Sequence, residues 1–143
     1  MGARHETRRL AMQALFGLDA NARQGVEEAV NAAWAEANGE SGADRALLAE
    51  LVAGTWGIRA AIDTGIEKAS RNWKLTRLDR VDRSILRLGV FELMHKPEVP
   101  APVILSEAIE LAKEFGAPDS PAFVNGLLDR IAREYRAGEV KER

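Results

Sequence analysis

The chain has no cysteine, and its 143 residues include only two histidines, His5 and His95, and one tyrosine. Missing thiols exclude disulfide staples, thiolate zinc sites, iron–sulfur clusters and a cysteine nucleophile. Two histidines cannot supply a histidine-rich metal centre, so neither a metal nor a cofactor is expected. No stretch approaches the roughly 18 consecutive apolar residues of a membrane span, and no apolar run follows the arginine-rich N-terminus as a secretion signal requires. Nor is there a glycine-rich phosphate loop, an H-x-x-x-H pair or a nucleophile elbow. The expectation is a soluble cytoplasmic protein with no membrane partner and no catalytic residue.

What is present is material for a core. With 46% hydrophobic and 29% charged residues, the composition lies well away from that of disordered chains. The 20 basic and 22 acidic residues nearly cancel, but they are unevenly placed. Residues 1–23 carry Arg4, Arg8, Arg9 and Arg23 against Glu6 and Asp19, and residues 24–68 are strongly acidic. Residues 71–87 hold Arg71, Lys74, Arg77, Arg80, Arg83 and Arg87 against Asp79 and Asp82. A polyanion meets local patches rather than net charge, so the two basic segments keep nucleic acid open as a partner.

Apolar residues recur at helical spacing throughout, and no stretch shows sustained strand alternation. Ala11, Ala14, Leu15 and Leu18 mark one helix face, and Val26, Val30, Ala33 and Trp34 a second. After a loop at 38–42, Leu47, Leu48, Leu51 and Val52 mark a third; Gly54, Gly57 and Gly65 predict a break or kink before or within Ile58–Ala69. From about Asp79 to Lys96, Val81, Ile85, Leu86, Leu88, Val90 and Leu93 surround most of the circumference, leaving a narrow polar strip of Arg80, Ser84 and Arg87. A helix apolar almost all round is a hub. Thr76 or Asp79 is its candidate cap, and Pro97 its stop. Gly116 reads as a helix terminator, and Asp119-Ser120-Pro121 as a helix start. The fold class is all-α, with six or seven helices and a charged tail from Gly138 that is expected to fray.

The numerous carboxylates lie among Lys and Arg on amphipathic faces, as solvated helix surfaces do. The basic clusters are more informative. Arg4 and Arg8, four apart, share one helix face with His5 and Arg9 beside them. Arginine near a helix N-terminus opposes the dipole, which favours a functional reason for it. Phe16, further along, is either a core aromatic or a ring for stacking a base. Arg77, Arg80, Arg83 and Arg87 form a second cluster, some of which must pair with the acidic second and third helices.

The segment from Arg4-His5-Glu6-Thr7-Arg8-Arg9-Leu10 to Phe16 resembles the opening of the NusB family. So does Asn72-Trp73-Lys74-Leu75-Thr76-Arg77-Leu78 running into Val81-Asp82-Arg83-Ser84-Ile85-Leu86-Arg87-Leu88, followed by Ser106-Glu107-Ala108-Ile109-Glu110-Leu111 and Phe123-Val124-Asn125-Gly126-Leu127-Leu128-Asp129. Three motifs in order span nearly the full chain. The resemblance implies a single helical domain over 1–137, a bundle of about seven helices in two three-helix-like subdomains around the central apolar helix. It also implies a bacterial, non-enzymatic transcription antitermination factor. With the ribosomal protein NusE, members bind the single-stranded boxA element of nascent RNA and, with other Nus factors, help RNA polymerase read through ribosomal RNA operons.

Carried over by motif, Arg4, His5, Arg8, Arg9 and Phe16 are RNA-binding candidates. His5 stands where the family usually has Arg, Arg9 where it often has Glu, Phe16 in place of a usual Tyr and Ser106 in place of a common Asn. Phe115, Asp119 and Phe123 resemble a further RNA-contacting surface, and Asp82 an acidic position facing NusE. Two alternatives stay open beside this reading. One is a protein-interaction or homodimerisation module without RNA binding; the other is a detached NusB-like domain of a ribosomal RNA methyltransferase.

Overall fold

The computed structural model describes residues 3–37, 42–71 and 78–139. Every regular element among them is a helix: α1 Ala3–Ala20, α2 Val26–Glu36, α3 Arg45–Gly57, α4 Arg59–Ser70, α5 Arg80–His95, α6 Ala101–Phe115 and α7 Ser120–Tyr135. Most of the 38–42 loop lies outside the described residues, as do Asn72, Trp73, Lys74, Thr76, Arg77 and the end of the tail. The chain divides into two compact units, Met1–Ile58 and Arg59–Arg143, so the glycine-marked break falls at Gly57 and coincides with the unit boundary. No described helix is long and apolar enough to cross a membrane.

In the first unit α1 lies against α2 and α3, which also touch each other. Leu10, Leu15 and Leu18 meet Ala29, Val30, Leu48, Leu51 and Val52 in its core, all buried. Thr7 fastens α1 to the start of α3: its hydroxyl donates to the Ala3 carbonyl at 2.7 Å and accepts the Asp44 N–H at 3.0 Å. Asp44 caps α3, its carboxylate accepting the Leu47 N–H at 3.1 Å, one of the donors a helix start leaves without a partner.

The expected hub, α5, lies within the second unit and touches α4, α6 and α7. Asp79 caps it by accepting the Val81 N–H at 2.7 Å. Every residue from Ser84 to Leu93 is buried, so the polar strip read from the sequence lies mostly inside: of Arg80, Ser84 and Arg87, only Arg80 is exposed. The two buried polar groups are satisfied inside the unit. Ser84 Oγ donates to the Arg80 carbonyl at 2.8 Å, and Arg87 grips Asp63 of α4 through Nε–Oδ1 and Nη2–Oδ2 bonds, both 2.8 Å. Two parallel charge-assisted bonds offset the desolvation of the guanidinium. This acidic partner of Arg87 is on α4. Gly89 lets α7 approach, since a Cβ there would stand 3.0 Å from Leu128 Cδ1.

Arg136, just past α7, is buried and closes the far end of α5. It donates to the carbonyls of Glu92, Leu93, Lys96 and Val99, at 2.8 to 3.2 Å. The first two belong to the last turn of α5, whose carbonyls have no partner within the helix. Glu139 accepts from Arg136 Nη1 at 2.8 Å and from the Ala101 N–H at 2.9 Å, and those bonds hold its carboxyl below the ordinary value. The tail is therefore tied as far as Glu139.

Candidate nucleic-acid interface

Helical spacing sorts the N-terminal candidates. Glu6, Arg9, Gln13 and Phe16 follow one another at three- and four-residue steps along one strip of α1, and all are exposed or half-buried. Phe16 is 38% exposed, a ring in solvent rather than a core aromatic. Arg9 lies on the same strip two turns earlier, about 10 Å along the axis, with Nη1 3.4 Å from Glu6 Oε2. A half-exposed pair of this kind is weak and leaves the guanidinium able to exchange partners. Arg4 is exposed in the first turn.

Arg8 and His5, grouped with Arg4 and Arg9 in the sequence, are only 5% and 6% exposed. Arg8 shares its helix face with Ala11, Leu15 and Leu18, which are core residues, so the face that pairs it with Arg4 turns inward. Arg4 escapes burial because it sits in the terminal turn. The outward basic groups of α1 are thus Arg4 and Arg9. Gln13, between Arg9 and Phe16 on the strip, is absent from the sequence-based candidates; its signal is the three- and four-residue spacing from both.

The remaining candidates gather at one corner of the second unit, where α6 turns into α7 beside the start of α5. Phe115 ends α6, exposed Asp119 precedes α7, and Phe123 lies in the first turns of α7; both rings are half-buried. Asp82, three residues after the α5 cap, faces the same corner but is only 9% exposed. Burial pushes its carboxyl above the ordinary value, a hydrogen bond from Ser120 opposes this, and the carboxylates of Asp79 and Asp119 push it further up. The sequence separates Asp82 from Asp119 as partner-facing and RNA-facing; the structure brings them together around Ser120. Arg80 is exposed near this corner, Arg83 half-buried, and Arg87 committed to Asp63.

Gly116 and Ser120 fix the turn. Ala117 N–H donates to Ser120 Oγ and Ser120 N–H to the Ala117 carbonyl, each at 2.9 Å. Asp119 occupies the cap position without a side-chain cap bond. Gly116 has extended backbone at φ −93° and ψ −176°, so its glycine is not required by a left-handed terminator. Close approach requires it: a Cβ there would lie 2.6 Å from Ser120 Cβ and 2.8 Å from the Ala112 carbonyl oxygen. Among the described residues no group of three or more His, Cys, Asp or Glu is arranged to hold a metal ion.

Among the described residues, seven helices in two units define an all-α protein, with Arg4, Arg9 and the exposed Phe16 ring along one of them. The chain belongs to the NusB family, whose sequence profile matches residues 5–133. It is similar to the transcription antitermination protein NusB of Sorangium cellulosum, 50% identical over 132 residues that cover 92% of this chain and 93% of that relative. Among solved structures it is similar to T. maritima NusB, with a TM-score of 0.83, 32% identity, and coverage of 93% of this chain and 92% of that one. A chain from a crystal structure of antitermination factors NusB and NusE in complex with dsRNA matches with a TM-score of 0.83 at 26% identity, covering 93% of this chain and 98% of that one.

Proposed function

We propose that this chain is an RNA-binding transcription antitermination factor. With NusE it binds the boxA element of nascent ribosomal RNA and, alongside other Nus factors, promotes read-through by RNA polymerase in the cytoplasm. The observation that carries this reading is the 50% identity, over 92% of the chain, with a protein named for transcription antitermination. The role is one of binding, with no catalytic step.

The geometry supplies chemistry that suits a single strand. Arg4 and Arg9 offer cations to phosphates, Gln13 offers an amide to a base edge, and Phe16 offers a flat face to an unstacked base. At the second corner, Phe115 and Phe123 are further stacking surfaces, and the Asp119 carboxylate can accept from base amino groups or a 2′-hydroxyl. Arg8 and His5 support the helix that carries the strip rather than meeting RNA themselves.

Fluorescence anisotropy with a boxA RNA, a scrambled RNA and a boxA duplex, each with and without NusE, tests the proposal. Single-stranded boxA should bind tightest, and NusE and RNA should tighten each other by one common factor, typically worth about 1–3 kcal/mol. Equal affinity for boxA and scrambled RNA, with NusE present, would overturn it. Preference for the duplex would replace the single strand with the kind of RNA found in the NusB–NusE crystal structure.

A further inference from the structure

A groove of about 110 Å³ opens between α1 and α2 in the first unit, beside the outward strip of α1. Buried Ala14, Ala29 and Ala33 give it an apolar floor, and Gln13, Gln24 and Glu36 supply its polar lining. The Gln24 amide lies over Gly17, where a Cβ would stand 3.6 Å from Gln24 Oε1. Gln13 belongs to both the groove and the strip, and Phe16 adjoins Gly17, so the two surfaces are continuous. Among the described residues the lining carries one carboxylate and no cation, so a phosphate is repelled from it. Glu36 ends α2, where a negative charge opposes the helix dipole, so helix stability does not account for it. These groups suit a neutral occupant with an apolar face and a donor-bearing edge, which describes a nucleobase.

We infer that the α1–α2 groove is a base-reading subsite, taking one guanine of the bound strand with its Watson–Crick edge on Glu36. This rests on the RNA-binding reading above and adds a base preference to it. A carboxylate only accepts, and its two oxygens match two donors side by side. Guanine alone among the four bases offers that pair, N1–H and the N2 amino group. On the same edge adenine and cytosine set one amino group beside an acceptor nitrogen, and uracil sets one N–H between two carbonyls. Each of those acceptors would face a carboxylate oxygen and be repelled. Gln13 and Gln24 both donate and accept, so they can serve the rest of guanine, O6 and N7 included. The alanine floor takes the face of the ring, and a neighbouring base on Phe16 keeps the strand along α1.

The test is anisotropy competition against labelled boxA RNA, on the full chain with NusE, by short uridine tracts carrying one central guanosine, inosine, adenosine, cytidine or uridine. Inosine is guanosine without the N2 amino group, so it removes one of the two bonds to Glu36. Wild type should bind the guanosine tract about tenfold tighter than the adenosine, cytidine or uridine tract, with inosine between. Glu36→Gln, which puts a donor on one of the two acceptor positions, should bring guanosine and inosine within about twofold of each other. Ala32→Leu, at an exposed position of the groove wall, should fill it and make all five tracts alike, with native helicity by circular dichroism. A general charge effect cannot imitate this pattern, because removing a carboxylate shifts affinity for all five tracts together. A wild-type chain that does not favour guanosine, or a guanosine-to-inosine ratio that Glu36→Gln leaves unchanged, overturns the inference. Should Ala32→Leu fail to fold, wild type and Glu36→Gln decide alone. Wild type binding boxA and scrambled RNA equally, with NusE present, would instead overturn the reading on which the inference rests.

Discussion

The α1 strip and the α6–α7 corner solve the same problem by different physics. On α1 the groups proposed to meet RNA are single side chains on a regular helix, carried outward by the 3.6-residue period, with Arg9 paired to Glu6. At the corner the proposed groups flank a turn closed by the Ser120 hydroxyl and by a glycine that admits no Cβ. The strip can lose a side chain without loss of fold, whereas the corner transmits any change into the second unit. Binding defects and stability defects should therefore separate on α1 and coincide at the corner.

The largest stability effect belongs to the helix that underlies the corner. Leu88, 2% exposed on α5, should cost about 2–5 kcal/mol when cut to alanine, read by denaturant melts. An unchanged melt would mean that α5 does not organise its unit. Gly116→Ala comes next: the 2.6 Å approach to Ser120 Cβ has to be relieved, at about 1–3 kcal/mol, with boxA affinity falling in the same variant. If affinity survives while stability drops, the corner does not contact RNA.

Arg8→Ala sharpens the contrast inside α1 itself. Because Arg8 is buried, its removal should cost about 1–3 kcal/mol of stability. Arg9→Ala, on the outer strip, should change stability by less than about 0.5 kcal/mol. Equal melting temperatures for the two variants would remove the distinction between the two faces.

A pH effect follows from Asp82. Its carboxyl is raised in the folded state, so the native chain holds that proton more tightly than the unfolded chain does. Its contribution to stability is then full below the ordinary carboxylate value of about 3.9 and is lost as pH rises through the raised value. Asp82→Asn, neutral at every pH, should melt higher than wild type at neutral pH, with the gap closing on acidification below about pH 4. A gap independent of pH would show that the ionisation of Asp82 is not its source.

Much of the fold is legible in the sequence. The helical periods carry the class and the helices, Asp79 is one of the two caps offered for α5, and the run from Val81 to Leu93 marks the hub. The exceptions have physical causes. Charge groups Arg8 with Arg4, but the core stripe of Ala11, Leu15 and Leu18 on the same face decides where Arg8 goes. Periodicity shows that Ser84 and Arg87 are polar, but not the bond from Arg87 to Asp63, 24 residues away, that permits its burial. Asp82 and Asp119 come together from different elements, and spacing along one helix carries no trace of it. Gly116 does end its helix as its position suggests, for a different reason: close approach rather than a left-handed backbone.

The difference between the two surfaces can be read in one measurement: the salt dependence of boxA affinity for wild type, Arg4→Ala/Arg9→Ala and Ser120→Ala. Every single-strand phosphate deprived of its cation flattens the slope of log affinity against log salt by about 0.7. If Arg4 and Arg9 neutralise phosphates, the arginine variant shows a flatter slope with stability intact, and Ser120→Ala keeps the wild-type slope with uniformly weaker binding. An unchanged slope in the arginine variant would contradict the assignment of the α1 strip to the RNA backbone.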